Sequence, residues 1–295
     1  MLGERPAVFH TNENKDFLRD ILDREAVRVW QQSVVKRKLK YLGLPAAEML
    51  DVVSWEPFLS TFTTIEREEN QQHLMFLRAN VNDIEHRMKS LYGEFDDILI
   101  SGRDRYGHSP DWPFDLINLD YFGGFIYSNL SRPRAIKKLI ENQSNYRHGF
   151  LLIITQHLRD GDVIGAKATL VEDMRRSIKS LCVDQTLIES IDNVMDWFAD
   201  ATTPDIARQA LYMNVFLKDK GEAEQFDVKC QPAIHYVGTG HSSMIHFITE
   251  LRHRGDAAHR IASEQSLVDV VDLNVRTLDH GTLKSMFKRP QLRPA

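Results

Sequence analysis

The stretch from Phe114 to Thr155 constrains what this chain can fold into more than any other. Phe114-Asp115-Leu116-Ile117-Asn118-Leu119 is a short apolar run with two polar interruptions. It ends in Asp120-Tyr121-Phe122-Gly123-Gly124, where glycines permit a sharp turn and a close approach of backbone to a ligand. Phe150 to Ile154 is almost purely apolar and of strand length, the pattern of a central parallel strand covered on both faces. Between them, Arg132 to Asn145 carries Ala135, Leu139 and Ile140 at helical spacing. The stretch is therefore expected to be a β-α-β unit with an acid, two aromatics and two glycines at the carboxyl end of its first strand. Ligands of open α/β sheets sit at that end.

The rest of the chain supports such a sheet. A length of 295 residues at 42% hydrophobic is ample for a sizeable core, as one large domain or two modest ones. A net charge of -5 provides no global basic field for nucleic acid, although a local patch is compatible with it. Cys182 and Cys230 form no closely spaced pair, so neither structural zinc nor a disulfide scaffold is expected, and a reducing compartment is the simplest reading. The first residues lack the apolar core of a signal peptide and no run of apolar residues reaches membrane-spanning length, so a cytoplasmic protein is expected.

In chain order, Lys15 to Lys40 repeats apolar residues at three and four (Phe17, Ile21, Leu22, Ala26, Val29, Trp30, Val34) and predicts one long or two shorter amphipathic helices. Residues 1–43 are thus expected to form an N-terminal helical extension. Its end carries Lys36, Arg37, Lys38 and Lys40, read either as a solvated helix end or as a patch for nucleic-acid phosphates. Met49 to Trp55, Phe62 to Ile65 and Ile98 to Ser101 are the first three expected strands, with a helix over Asn70 to His86. Phe114 to Leu119 and Phe150 to Ile154 are the fourth and fifth. Alternating strands and helices predict a doubly wound, mostly parallel sheet within an α/β domain spanning about 44–255.

Val163 to Leu181, Asp184 to Ala199 and Thr203 to Lys218 read as three helices, a helical insertion over about 163–222. Phe226 to Val237 and Ser243 to Arg252 both alternate and are joined by Gly238-Thr239-Gly240-His241, which predicts an antiparallel hairpin. Leu267 to Leu273 is either a strand or a short helix, within a C-terminal segment 256–295 that ends in a basic tail.

This order resembles that of class I S-adenosylmethionine-dependent methyltransferases over residues about 48 to 160, with the hairpin fitting the superfamily's last two strands. Asp115 to Gly124, followed by Gly149 to Thr155, is similar to the corresponding region of tRNA guanine-N2 dimethyltransferases, with Asp120 and Phe122 on their acid and aromatic and Tyr121 in place of a proline. A second register is equally open, in which Asn118-Leu119-Asp120-Tyr121 is spaced like the loop of amino-methyltransferases generally. The resemblance implies methyl transfer from S-adenosylmethionine to a nitrogen of a nucleic-acid base. Asp120 or Asn118 would hold the target N–H, and Tyr121 or Phe122 would stack on the base. It also implies Glu66 as the acid for the cofactor ribose and Asp104 as the acid for the adenine amine. Asp120 and the aromatics also read as a turn cap with core side chains, and Glu66 and Asp104 as ordinary loop carboxylates.

One departure bears on all of this. The superfamily places a glycine-rich turn after its first strand, and here the turn is expected at Asp51-Val52-Val53-Ser54-Trp55-Glu56-Pro57-Phe58, with Asp51 and Ser54 as its polar groups. No glycine occurs between Gly43 and Gly93. Either the cofactor is held in an unusual way, or this is a silent member of the fold that serves as a binding or scaffolding subunit in a nucleic-acid-associated assembly. His235, His241, His246 and His253 cluster around the hairpin, but their spacing matches no familiar metal-ligand set.

Overall fold

A computed structural model of the chain describes residues 13–32, 37–45, 48–121, 131–158, 168–181, 188–200, 203–238, 243–256, 265–272, 275–279 and 282–286. The first half contains α1 (Glu13–Gln32), β1 (Leu39–Gly43), α2 (Leu50–Trp55), β2 (Leu59–Glu66), α3 (Glu69–Val81), β3 (Met88–Tyr92), α4 (Phe95–Ser101), β4 (Leu116–Tyr121), α5 (Ser131–Asn145) and β5 (Phe150–Leu158). Then follow α6 (Ala168–Leu181), α7 (Ile188–Ala199), α8 (Asp205–Ala223), β6 (Phe226–Cys230), β7 (Ile234–Val237), β8 (Ser243–His253), α9 (Leu267–Asp272), β9 (Arg276–Asp279) and β10 (Thr282–Ser285). No helix among the described residues is long and apolar enough to cross a membrane.

All ten strands join one sheet in the order β10-β9-β7-β8-β5-β4-β1-β2-β3, with β6 pairing β8. Strands β3, β2, β1, β4 and β5 run parallel, and β8 runs antiparallel to β5, β6 and β7. This is the doubly wound sheet with a terminal antiparallel hairpin expected for the methyltransferase type. Leu267 to Asp272 resolves as a helix, and β9 and β10 extend the sheet beyond β7.

Four elements differ from expectation. The first strand is Leu39–Gly43, between β4 and β2, so the basic run 36–40 leads into the sheet instead of closing a helix. Met49 to Trp55 is helical, burying Val52 and Trp55 one turn apart and turning Asp51 and Ser54 away from the core. Ile98 to Ser101 belongs to α4, which buries Phe95, Ile98 and Leu99 at helical spacing, while the third strand is Met88–Tyr92. A short apolar run satisfies strand and helix templates equally, and packing decides between them. The long strand read over Phe226 to Val237 is two strands broken at Gln231-Pro232-Ala233, since Pro232 has no N–H for a ladder.

The sheet has an apolar layer on each face. On one face, α4 to α9 cover Leu42, Ile117, Leu119, Tyr121, Leu152 and Ile154. On the other, α1, α2 and α3 cover Leu39, Tyr41, Leu116, Leu151 and Ile153. Helix α1 buries Leu18, Leu22, Ala26 and Val29 against that second face. It is anchored there by Asp23, which accepts from Trp55 Nε1 at 2.5 Å and Ser54 Oγ at 2.9 Å, and by Arg28, paired with Glu250 of β8 at 3.1 Å.

Candidate functional site

The chain leaves β1 for β2 on one side and returns to β4 on the other, which makes the β1/β4 boundary the topological switch point of the sheet. A cleft of about 210 Å³ opens there. Its walls come from the turn after β1 (Leu44, Pro45), from α2 (Asp51), from β4 (Asn118, Asp120), from β5 and β8 (Thr155, His246), and from Lys15, Leu18 and Arg19 of α1. The strand pleat sorts these groups: Asn118 and Asp120 face α1, while Leu119 and Tyr121 alternate to the opposite face.

Three acids line the cleft, Glu48, Asp51 and Asp120, and the two aspartates differ in their bonding. Asp51 Oδ2 accepts from the Tyr41 hydroxyl at 2.6 Å and from Asn118 Nδ2 at 2.9 Å. Asp120 has no side-chain hydrogen bond among the described residues, although it is exposed to the cleft. The protein mass around the cleft and the nearby Asp51 disfavour its charged form and raise its carboxyl to about 6, against a smaller lowering by Lys15. A carboxylate so poised holds or takes a proton near neutral pH.

The other expected site residues divide sharply. Asp51, Asn118 and Asp120 come together as described. Tyr121 does not join them: its hydroxyl donates to Asp96 at 3.1 Å, its ring packs edge-on against Phe95, and Arg132 lies over it at 4.6 Å. It is a buried core ring and no base-stacking platform, because an odd step along β4 turns it through the sheet. Phe122, Gly123 and Gly124 lie outside the described residues. Ser54 faces α1, bonds Asp23 and is not among the residues that line the cleft.

At the end of β2, Glu66 Oε1 accepts from the backbone N–H of Arg67 and of Glu68, both at 2.8 Å, so one carboxylate oxygen organises its own turn. Asp104 is a loop-organising carboxylate. It accepts from the backbone N–H of Tyr92, Tyr106 and His108 at 3.2, 2.8 and 2.8 Å and has His108 Nδ1 at 3.3 Å. Burial works to raise Asp104, but those N–H donors outweigh it and lower its pKa. The exposed acid directly after β3 is Glu94, paired with Arg67 at 3.0 Å. Placing the third strand at Ile98–Ser101 hid it.

The turn after β1 also corrects the glycine question. It starts at Gly43-Leu44-Pro45, so one glycine stands at the strand end, where the sequence reading had no glycine at all. A Cβ built on Gly43 would lie 2.0 Å from the Tyr41 hydroxyl, so Tyr41 occupies the open side of that glycine. The cleft instead meets the chain at Leu44 and Pro45. Glu66 and Glu94, after β2 and β3, are not among the residues that line the cleft, whose acids are Glu48, Asp51 and Asp120.

The basic run sits at the other end of the sheet. Arg37 is bidentate to Asp115 at 2.5 and 3.0 Å, and Lys40 Nζ donates to the Asp111 carbonyl at 2.5 Å. Both precede or open β1, at its amino end, and Lys36 lies outside the described residues. The cations at the cleft are Lys15 and Arg19 of α1. Among the histidines, His241 lies outside the described residues, and His235, His246 and His253 make separate contacts with Ser243, Thr155 and the Gly255 N–H.

No family model matches the chain, and no curated protein matches it. Among solved structures it is similar to a cofactor-bound protein from MTB, at 13% identity over 85% of each chain with a TM-score of 0.42. It is also similar to the O-methyltransferase TomG from Streptomyces achromogenes in complex with SAM, at 14% identity over 84% of this chain and 92% of that one, TM-score 0.39. A third is precorrin 8W decarboxylase from Methanobacterium thermoautotrophicum, at 10% identity over 83% and 94%, TM-score 0.40. The fold assignment rests on the strand order described above.

Proposed function

We propose that this chain is an S-adenosylmethionine-dependent methyltransferase whose acceptor sits in the cleft between α1 and the β1/β4 switch point. The observation that carries the reading is the Asp120 carboxylate, without a side-chain hydrogen bond among the described residues and raised to about 6, at the switch point of a doubly wound sheet where ligands collect. When bound, the cofactor supplies an electrophilic methyl group on a sulfonium. Asp120 accepts a hydrogen bond from the acceptor's N–H or O–H, turns its lone pair toward that methyl, and takes the proton as the new bond forms. Asn118 and Tyr41 hold Asp51 in place beside it. Glu66 and Glu94 offer oxygens to the cofactor's hydroxyl and amine groups from the ends of β2 and β3.

An amine or ring nitrogen of a nucleic-acid base is one acceptor that suits this arrangement. It keeps Asp120 as the group that orients the N–H and does without Tyr121 as a stacking ring. An aromatic that lines the same cleft is Tyr236.

One observation favours a second reading, a silent member of the fold that binds partners: Tyr41 fills the open side of Gly43. Isothermal titration with S-adenosylmethionine and S-adenosylhomocysteine separates the two. The enzyme reading expects micromolar binding that weakens at least tenfold in Glu66→Ala, about 1.4 kcal/mol. Absence of heat and of any thermal shift at millimolar ligand sinks the enzyme reading and leaves the silent one.

A further inference from the structure

The cleft holds more negative than positive charge. Glu48, Asp51 and Asp120 line it against Lys15 and Arg19, and Arg19 is itself held by Asp16 at 2.7 Å, so four carboxylates share two cations. The titrating groups of the cleft feel that excess. After desolvation, Asp51 raises the Asp120 carboxyl more than Lys15 lowers it. The Tyr236 hydroxyl is raised by burial and then by Asp120, against a smaller lowering by Arg19. Glu48 adds an oxygen that is shielded from solvent and has no hydrogen-bond partner among the described residues. A carboxylate so placed stays uncompensated until a cation comes near. Arg37 and Lys40, at the opposite end of the sheet, are engaged with Asp115 and the Asp111 carbonyl.

Size and lining narrow the ligand further. A volume of about 210 Å³ is below the roughly 300–1,000 Å³ of pockets that enclose drug-sized molecules, so the cleft takes a small one. Leu18, Leu22, Leu44 and Met244 set apolar side chains around the acids. A concave site lined by one sign of charge and apolar walls draws in the opposite charge and keeps out its own.

We propose that the acceptor in this cleft is a small ammonium-bearing molecule with an apolar body, and that acceptors carrying phosphate are turned away. The inference rests on the methyl-transfer reading of the same cleft and narrows it. A free amine suits the charge balance, whereas a base on a nucleic-acid backbone brings its phosphates toward three carboxylates. Methyl transfer to such an acceptor requires its nitrogen to lose one proton, which Asp120 accepts and passes to solvent. The freed lone pair forms the N–C bond while the electron pair of the breaking C–S bond stays on sulfur.

The test uses the full chain at pH 7 and three probes of one shape: benzylammonium, benzyl alcohol and benzyl phosphate. Isothermal titration is expected to show benzylammonium binding about tenfold tighter than benzyl alcohol, with no binding of benzyl phosphate. Glu48→Gln should weaken benzylammonium by roughly threefold to tenfold and leave benzyl alcohol unchanged, which separates lost charge from lost fold. Equal affinity for the ammonium and the alcohol, phosphate binding as tight as that of the ammonium, or no binding of millimolar benzylammonium overturns the proposal. Titration of the same samples with S-adenosylhomocysteine reports on the cofactor separately. Binding of S-adenosylhomocysteine without a preference for the ammonium sinks this inference alone, and the preference without that binding sinks the methyl-transfer reading alone.

Discussion

Asp115 and Asp120 stand five residues apart on one strand run and live in opposite electrostatic worlds. Asp115, at the amino edge of the sheet, takes Arg37 at 2.5 Å, His148 Nε2 at 2.8 Å and the Lys40 N–H at 2.8 Å. Burial works to raise its carboxyl, but these partners together hold it below the usual carboxylate range. Asp120, at the carboxyl edge, has no such partner among the described residues and is exposed to the cleft, where desolvation by the surrounding protein and the nearby Asp51 push it up to about 6. A partnered carboxylate ties elements of the fold together. An unpartnered one in a cleft is held ready for a ligand, and that difference separates scaffold from site in this molecule.

The largest expected effect comes from breaking the scaffold side. Asp115→Ala leaves Arg37, His148 and a backbone N–H without their shared acceptor and is expected to cost about 3 kcal/mol. Thermal unfolding at neutral pH should then show a Tm lower by roughly 6–12 °C. A fall of a degree or less would mean that Asp115 is no staple.

Next in size is the acid sensitivity set by His246. Because the fold holds its pKa near 3, its stabilising contribution is present above the ordinary histidine value and is lost as pH falls from 6.5 toward 3. At pH 5 the unfolded chain binds a proton there and the folded chain does not, a penalty of about 2 kcal/mol. Denaturant unfolding at pH 7 and pH 5 should show that loss in the wild type and not in His246→Phe.

Asp120→Asn has the opposite sign and a smaller size. The folded state favours the neutral carboxyl, so its stabilising contribution is full below 3.8 and gone once the pH passes about 6. The variant should melt about 1–3 °C higher than the wild type at pH 8 and no higher at pH 4, while the proposed methyl transfer should be lost. The smallest effect belongs to Ser54→Ala, whose hydroxyl bonds Asp23 at the surface of α2. Stability should move by about 0.5 kcal/mol or less, and cofactor affinity should not move.

The central β-α-β unit was legible because its signals agree: an apolar run for β5, helical spacing for α5, and a turn-forming end to β4. The edges of the parallel sheet were not. Leu39-Lys40-Tyr41-Leu42-Gly43 is five residues long and follows an amphipathic helix whose period runs on into it. The β-rich string Val52-Val53-Ser54-Trp55 became a helix because Val52 and Trp55, one turn apart, both reach the core. Moving the first strand moved its turn as well, which is why Gly43 was overlooked and Ser54 proposed.

Within the site, acids were legible by residue type and face was not. Asn118 and Asp120 share a side of β4, and Tyr121 falls on the other by the pleat alone.

The contrast between the two aspartates is tested most directly by a ¹³C-detected pH titration of the carboxyl side chains, with Asp115→Asn and Asp120→Asn for assignment. Asp120 should be half-ionised near pH 6, with Asp115 below the usual carboxylate range. An Asp120 that titrates together with the ordinary surface carboxylates would contradict the account.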